Sequence, residues 1–492
     1  MNMKKMKRFV ALALSVVMVL AMSVMAFADD ETTYSLTINN SKTGHTYEAY
    51  QIFVGDLTIE KNTKKLTNIK WGSGVSEAGQ KQFGKADKKA ETLNSADDAK
   101  TFAKEVAGYL TTPTGSQTKT DQAYIISGLK PGYYLVKDKD SSLENQANDV
   151  YTSYIMEVVG DTTAAPKGDV PSFKKKIKDT NDTTGETSDW QDSADYDIGD
   201  DIPFKLEGTV ASNYDEYSKY YFAFHDVEET GLTFNPNSVE VFVDGNKITS
   251  GFQVITSTSD KCTFEIVFDD LKQIQAVEAG SVITVEYKST LNDKATLGNQ
   301  GNVNKAKLEF SNNPNDTQGG TSRGETPWDN VIVFTYKVVV NKTKENGDPL
   351  EGAEFTLSKK LKDGSTKEIA VIKNDEGTTF TFSGLDDGEY VLTETKTPAG
   401  YNTIDPITFT VNADHTITWE GEVRTTILTK LEGGNTFTGD VETGKLEGDI
   451  VNKAGSSLPS TGGIGTTIFY IVGGILMVGA AVLLITKRRA EN

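Results

Sequence analysis

Between Phe334 and Lys342 the chain alternates: Phe334, Tyr336, Val338 and Val340 share one parity, and Lys342 falls on it too. Side chains along a β-strand point alternately to opposite faces, so this stretch predicts a strand that turns a lysine inward with its apolar neighbours. Two other strands repeat the pattern, with Glu394 on the parity of Tyr390 and Leu392, and Asn452 on that of Ile450. A buried charge without a partner is costly, and Lys and Glu are rarely fully buried. Three strands with the same apparent error call for one explanation.

A Lys342–Asn452 isopeptide bond supplies it. Burial disfavours the charged amine, leaving a neutral nucleophile that can attack the Asn452 carboxamide. The same surroundings favour a protonated Glu394, which can polarise the carboxamide and shuttle protons as ammonia leaves. The product is a neutral amide, and the buried charge disappears.

The parity test applies upstream as well. Phe173 and Ile177 flank Lys175 on one face, Phe222 and Phe224 share parity with Asp226, and Asn304 lies with Ala306, Leu308 and Phe310. Asn312 continues that parity at the strand end and is the reserve partner. Nearer the N-terminus, Gly132–Asp138 resembles such an acid-bearing strand, with Asp138 in the acid position, but the opening strand Tyr34 to Asn40 carries no lysine. No bond is expected there, and that domain is expected to be the most labile.

Strand patterns rich in Thr, Val, Tyr and Phe recur along the chain with glycine-containing turns between them. One helix is predicted near 95–110, where Ser95 and Asp98 can form a cap and Ala99, Phe102, Ala103, Val106 and Leu110 make one face. The Pro/Gly-rich stretch Ala164–Pro171 marks a junction. The reading is mainly β: three tandem immunoglobulin-like β-sandwich domains over 29–166, 167–330 and 331–455, with a helix inserted in the first.

The two ends set the compartment. Lys4, Lys5, Lys7 and Arg8 precede an apolar run from Phe9 to Met25 that closes on Ala26-Phe27-Ala28, a secretory signal peptide over 1–28. At the other end, 456–492 holds Leu458, Pro459, Ser460, Thr461 and Gly462, the Leu-Pro-x-Thr-Gly pattern of sortase substrates. An apolar segment from Ile464 to Thr486 and the cations Lys487, Arg488 and Arg489 follow. The segment is long enough to span a bilayer, with the basic tail on the cytoplasmic side. Resemblance to sortase substrates implies cleavage between Thr461 and Gly462, an acyl-enzyme at Thr461, and transfer to an amine.

Removing the leader and everything beyond Thr461 takes the formal charge from −20 to about −26, which argues against a nucleic-acid partner. The single cysteine, Cys262, permits no disulfide within the chain; it shares parity with Phe264, Ile266 and Phe268 and reads as a buried structural thiol. His45, His225 and His415 are far apart and suggest no metal cluster. No cofactor is expected. No phosphate loop or Ser/His/Asp grouping points to an enzyme, beyond autocatalytic amide formation within the chain.

Lys342 followed by Glu345-Asn-Gly-Asp-Pro-Leu-Glu-Gly-Ala-Glu-Phe355 resembles the opening of collagen-adhesin B-type (CnaB) domains. Glu389 to Tyr401 resembles their E-box, with its glutamate at Glu394, and Asn452 sits where the family's bonding asparagine does. The whole chain resembles the backbone pilins of sortase-assembled Gram-positive pili, which implies a CnaB/CnaA/CnaB-type domain order. By that resemblance the middle domain is expected to form a Lys175–Asn304 bond promoted by Asp226. The family's polymerisation lysine lies between the first two domains, in a Tyr-Pro-Lys-Asn context. Pro166-Lys167-Gly168 occupies that place here, so Lys167 is the expected acceptor, although Ala165 and Gly168 depart from the pattern and leave Lys174, Lys176 or Lys178 open.

The resemblance implies a pilus shaft subunit on the surface of a Gram-positive cell. Its partners would be a class C sortase, a housekeeping sortase, identical subunits, minor or tip pilins and peptidoglycan, and host matrix molecules in an adhesive role. The alternative is a monomeric wall-anchored adhesin. A tip adhesin is disfavoured, since no inserted metal-binding adhesion domain or Asp-x-Ser-x-Ser motif is present.

Overall fold

The computed structural model of the 492-residue chain describes 32–455, apart from 61–62, 119–122, 145, 167, 317–320, 370–371, 374–376 and 421–422, together with 472–481. The leader, the pentapeptide Leu458–Gly462 and Lys167 therefore lie outside the described residues. Of the expected span 464–486, residues 472–481 are described and helical, with Ile475, Leu476 and Met477 exposed; no described helix is long and apolar enough to cross a membrane.

The described chain is mainly β, in three successive sandwich-like bodies. In the first, Tyr34–Ile38 pairs antiparallel with Tyr124–Leu129 and parallel with Thr162–Ala164. A second sheet runs in the order Thr63–Trp71, Thr46–Glu60, Gly132–Asp138, Ser153–Val158. Strand alternation lets this sheet serve two cores. Tyr47, Ala49, Tyr134 and Val136 face the small sheet, while Tyr50, Ile52 and Leu135 face the helices. The helix Ala96–Ala107 presents Phe102, Ala103 and Val106 to that second core, and Ser95 and Asp98 form the expected reciprocal cap. Two shorter helices, Glu77–Phe83 and Ala86–Ala90, precede it; their few residues carry too little periodicity to stand out in the sequence.

The middle body packs two sheets face to face. One has the order Asn246–Ile248, Leu232–Val243, Val282–Leu291, Asp201–Thr209, Phe173–Ile177. The other contains Phe222–Glu228 between Phe264–Phe268 and Asn302–Ser311. Phe204, Leu206, Phe222, Phe224, Leu308 and Phe310 fill the space between them, each fully buried.

In the third body the first strand, Tyr336–Lys344, lies parallel to the last, Lys445–Asn452, and antiparallel to Thr379–Leu385. Glu354–Lys360, Gly388–Lys396 and Ile407–Glu420 form the facing sheet.

The strand at the expected opening of the third domain, 331, is shared between two bodies. Asp329–Phe334 hydrogen-bonds to Asn302–Ser311 and Ser193–Asp195 in the middle body's sheet. Its side chains divide between two cores: Val331 and Val333 join the middle one, and Ile332 and Phe334 the C-terminal one. Parity correctly places Phe334 with Tyr336, but backbone pairing puts its strand in the preceding sheet. This shared strand couples the two bodies, as do the Ser193 hydroxyl to His415 Nδ1 at 2.7 Å and buried Lys359 to Asp197 at 3.2 Å.

Candidate functional site of buried lysines, acids and asparagines

The adjacent strands that open and close the third body carry Lys342 and Asn452, while Glu394 comes from the facing sheet. All three are buried: Lys342 is 1 %, Glu394 5 % and Asn452 0 % exposed. Lys342 Nζ donates to the Ile450 carbonyl at 2.6 Å, two residues before Asn452, and stands 6.0 Å from the centre of the Phe355 ring. Asn452 Nδ2 donates to Glu394 Oε2 at 3.1 Å and to the Asn402 carbonyl at 2.9 Å. Thr397 Oγ1 and the Ile404 amide, each at 3.2 Å, hold the same carboxylate oxygen. The other two oxygens, Glu394 Oε1 and Asn452 Oδ1, are buried with no hydrogen-bond partner among the described residues. Burial pushes the Lys342 amine below its ordinary range, opposed by the charge of Glu394.

The middle body brings together Lys175, Asp226 and Asn304, all fully buried. Lys175 Nζ donates to Asp226 Oδ2 at 2.5 Å and to the Tyr287 hydroxyl at 2.6 Å, over the stacked rings of Phe204 and Tyr287. The Tyr287 hydroxyl donates to Asp226 Oδ2 at 2.8 Å and accepts from Asn304 Nδ2 at 3.0 Å, bridging acid and amide. Asn304 Nδ2 also lies 3.3 Å from Glu228 Oε1, an oxygen that accepts from the Ser289 hydroxyl. Again the leftover oxygens are orphans: Asp226 Oδ1, Glu228 Oε2 and Asn304 Oδ1. Burial lowers the Lys175 pKa against the pull of Asp226, and raises that of Asp226 against the pull of Lys175. Glu228 is pushed up to about 8 by burial and by the charge of Asp226.

Tyr287 and Glu228 were not singled out from the sequence. Glu228 shares parity with Phe224 and Asp226, so the same test reaches it; Tyr287 looks like one more aromatic core residue beside Val285. Asn312 is placed elsewhere. Its Nδ2 donates to the Asp149 carbonyl at 3.2 Å and its Oδ1 accepts from Ser322, so it joins the first body to the second and does not meet Lys175.

In the first body, fully buried Asp138 meets a histidine instead of a lysine. His45 Nδ1 lies 2.6 Å from Asp138 Oδ1 and its Nε2 3.1 Å from Asp149 Oδ2, a geometry that suits a doubly protonated ring donating both ways. Asp138 Oδ2 also accepts from the Thr152 amide and hydroxyl.

The histidines, expected from their spacing to suggest no metal cluster, include two that stand beside ligand-type groups. Antiparallel pairing and domain packing set His225 beside Asp260, Cys262 and Glu265, and His415 beside Asp179 and Asp195. Nor does Cys262 extend the inward face of Phe264, Ile266 and Phe268. The strand starts at Phe264, and the buried thiol lies 3.8 Å from His225 on the sheet's other face.

A family model described as a prealbumin-like fold domain matches 336–424, and one described as an LPXTG cell wall anchor motif matches 450–492. The chain is 25 % identical to the trypsin-resistant surface T6 protein of Streptococcus pyogenes serotype M6, over 97 % of this chain and 99 % of that one. It is 23 % identical to a serine-aspartate repeat-containing protein C of Staphylococcus aureus over 55 % of this chain and 30 % of that protein. In fold it is similar to the three-domain T6 backbone pilin of serotype M6 S. pyogenes, with a TM-score of 0.56, 19 % identity, and coverage of 88 % of this chain and 100 % of that one. Similarity to the full-length major pilin SpaD of Corynebacterium diphtheriae gives a TM-score of 0.50, 17 % identity, and coverage of 87 % and 99 %.

Proposed function

We infer that this chain is a major pilin of Gram-positive pili, the structural shaft subunit of a surface pilus anchored to the cell wall. One observation carries the reading: a cell-wall anchor segment at 450–492 ends a chain that aligns over nearly its whole length with a T6 surface protein and shares the three-domain backbone-pilin fold. The protein is a building block and not an enzyme.

In this reading the domains are 29–166, 167–330 and 331–455, with the third domain's own sheet starting at Tyr336. A class C sortase cleaves between Thr461 and Gly462, and the Thr461 acyl group passes to Lys167 of the next subunit. A housekeeping sortase finally transfers the last subunit to peptidoglycan, with minor or tip pilins elsewhere on the fibre.

Within each subunit two amides form. The neutral Lys342 amine attacks Asn452 Cγ; the new C–N bond replaces the bond to Nδ2, and ammonia leaves with protons relayed by Glu394. Lys175 and Asn304 react in the same way with Asp226 as the acid. Tyr287 bridges acid and amide there, and Glu228, raised to about 8, is a second proton carrier. Orphaned oxygens support this: the acid and the asparagine of each site both carry one, and a buried unsatisfied polar atom costs about 1–3 kcal/mol. Condensation removes the buried ionisable amine and leaves a neutral amide in its place.

Blotting cell-wall extracts tests the shaft reading. A ladder of very large species is expected, collapsing to monomer in Lys167→Ala. A single wall-linked band in the unaltered strain would instead mean a monomeric adhesin.

A further inference from the structure

The outer face of the middle sheet carries a cluster that amide chemistry does not use. His225 lies on the strand Phe222–Glu228, facing away from the core that Phe222 and Phe224 fill. Glu265 stands opposite it on Phe264–Phe268, and Glu309 comes from Asn302–Ser311 on the other side. Asp260 and Cys262 complete the group from the preceding turn, where Lys261 has φ of 71°. That left-handed conformation is uncommon for a side chain with a Cβ, and here the two residues flanking it both reach His225.

The donor atoms converge. His225 Nδ1 is 2.9 Å from Asp260 Oδ2, 3.6 Å from Glu265 Oε1 and 3.8 Å from Cys262 Sγ, while Sγ is 3.1 Å from Asp260 Oδ2. All four ligand atoms lie within 4.8 Å of one another. Tetrahedral zinc bonds of about 2.0–2.3 Å put neighbouring ligand atoms roughly 3.3–3.6 Å apart, close to this spacing. The other ring nitrogen, Nε2, is 3.3 Å from Glu309 Oε2, the carboxylate–histidine arrangement that orients a metal-binding imidazole. Three carboxylates and a thiol surround one imidazole, and Lys307 nearby is engaged by Glu325 at 2.7 Å. Arg323 lies near Glu309, which leaves the charges of Asp260 and Glu265 for a dication to balance.

We propose that His225 Nδ1, Cys262 Sγ, Asp260 and Glu265 form a four-coordinate site for a divalent transition-metal ion, with Glu309 orienting the imidazole. Thiolate and imidazole donors select zinc over calcium or magnesium, which prefer oxygen alone. Binding releases the Nδ1 proton and the thiol proton to solvent and leaves one metal–sulfur, one metal–nitrogen and two metal–oxygen bonds. Asp260 is exposed and gives the ion a route in. The ion would pin the turn holding Asp260 and Cys262 to three strands of the sheet, independently of any amide in the core.

The intact chain, purified under reducing conditions, should retain one equivalent of Zn²⁺ through metal-free gel filtration. Co²⁺ in its place should show a thiolate-to-metal charge-transfer band and the intense visible bands of four-coordination. Cys262→Ser should abolish the charge-transfer band, and Glu309→Gln should weaken zinc binding about 10–100-fold while leaving the band in place. Zn²⁺ should also slow alkylation of Cys262 in the unaltered chain at least tenfold, a reading that needs no variant to fold. Unchanged alkylation with zinc present, or stoichiometric zinc retained by Cys262→Ser, overturns the site.

Discussion

The first body and the last solve the same problem differently. Each turns an acid into its interior, Asp138 in one and Glu394 in the other. In the last body the acid faces a lysine and an asparagine on the first and last strands, groups able to condense. In the first it faces His45, which can only share protons with Asp138 and Asp149. If subunits join through Thr461 and Lys167, tension enters beside Lys175 and leaves just after Asn452. The first body then hangs off the line of force. A reversible ion pair suffices where no tension passes, and the proposed amides would stand where it does.

The largest test of that contrast removes the proposed C-terminal amide. It closes a loop of about 111 residues, for which the loop-entropy estimate is about 4–5 kcal/mol. Lys342→Ala is therefore expected to lower the melting temperature of the third body by roughly 15–30 °C in calorimetry. Intact mass gives the chemical counterpart: the mature protein should weigh about 34 Da less than its sequence, for two ammonia molecules, and Glu394→Ala should recover about 17 Da beyond the substitution itself. An unchanged deficit in that variant removes Glu394 from the chemistry.

Next comes the ion pair of the first body. His45→Gln leaves Asp138 and Asp149 without their shared cation, and breaking such a buried pair costs about 3 kcal/mol or more. Limited proteolysis should then degrade the first body while the other two survive. Survival of the first body in this variant, with the others digested, would reverse the comparison.

The pH response follows with a smaller effect. Burial works to lower the His45 pKa, but hydrogen bonds and charge from Asp138 and Asp149 outweigh it and raise the value from 6.5 to about 9. A folded value above the unfolded one means the stabilisation is complete below about pH 6.5 and is lost as pH rises through 9. Tyr47 stacks on the ring, Tyr124 meets it edge-on and Lys42 shares Asp149, so the acids are the groups that hold the proton. The first body's melting temperature should fall between pH 6.5 and 9, while a Lys342–Asn452 amide has no proton to lose there. The smallest effect is local: Ser95→Ala removes one side of the helix cap and should cost the first body about 1 kcal/mol.

Alternation along strands was enough to read the β architecture and the burial of Lys342, Glu394, Asn452, Lys175, Asp226 and Asn304, and cap spacing was enough to read the helix start at Ser95. Each of these depends on one strand's period or one helix's first turn, and such periods are written in consecutive residues. Asn312 shows where that stops. It shares the parity of Asn304, yet it lies at the seam with the first body, because parity gives the face of a strand and not what stands across from it. Asp329–Phe334 shows the same limit, with inward-facing residues on both sides and no period to say which sheet its backbone would join.

The sequence by itself determined which strand residues turn inward and that the C-terminal end carries a cell-wall anchor. Only the tertiary structure decided partners across sheets: Tyr287 between Asp226 and Asn304, His45 between two aspartates, and His225 beside Cys262. Those pairs are far apart in the chain and meet through strand pairing, sheet packing and a left-handed turn. Periodicity fixes a direction for each side chain, but a meeting needs two directions and a distance, and distance is set only when the sheets close on each other.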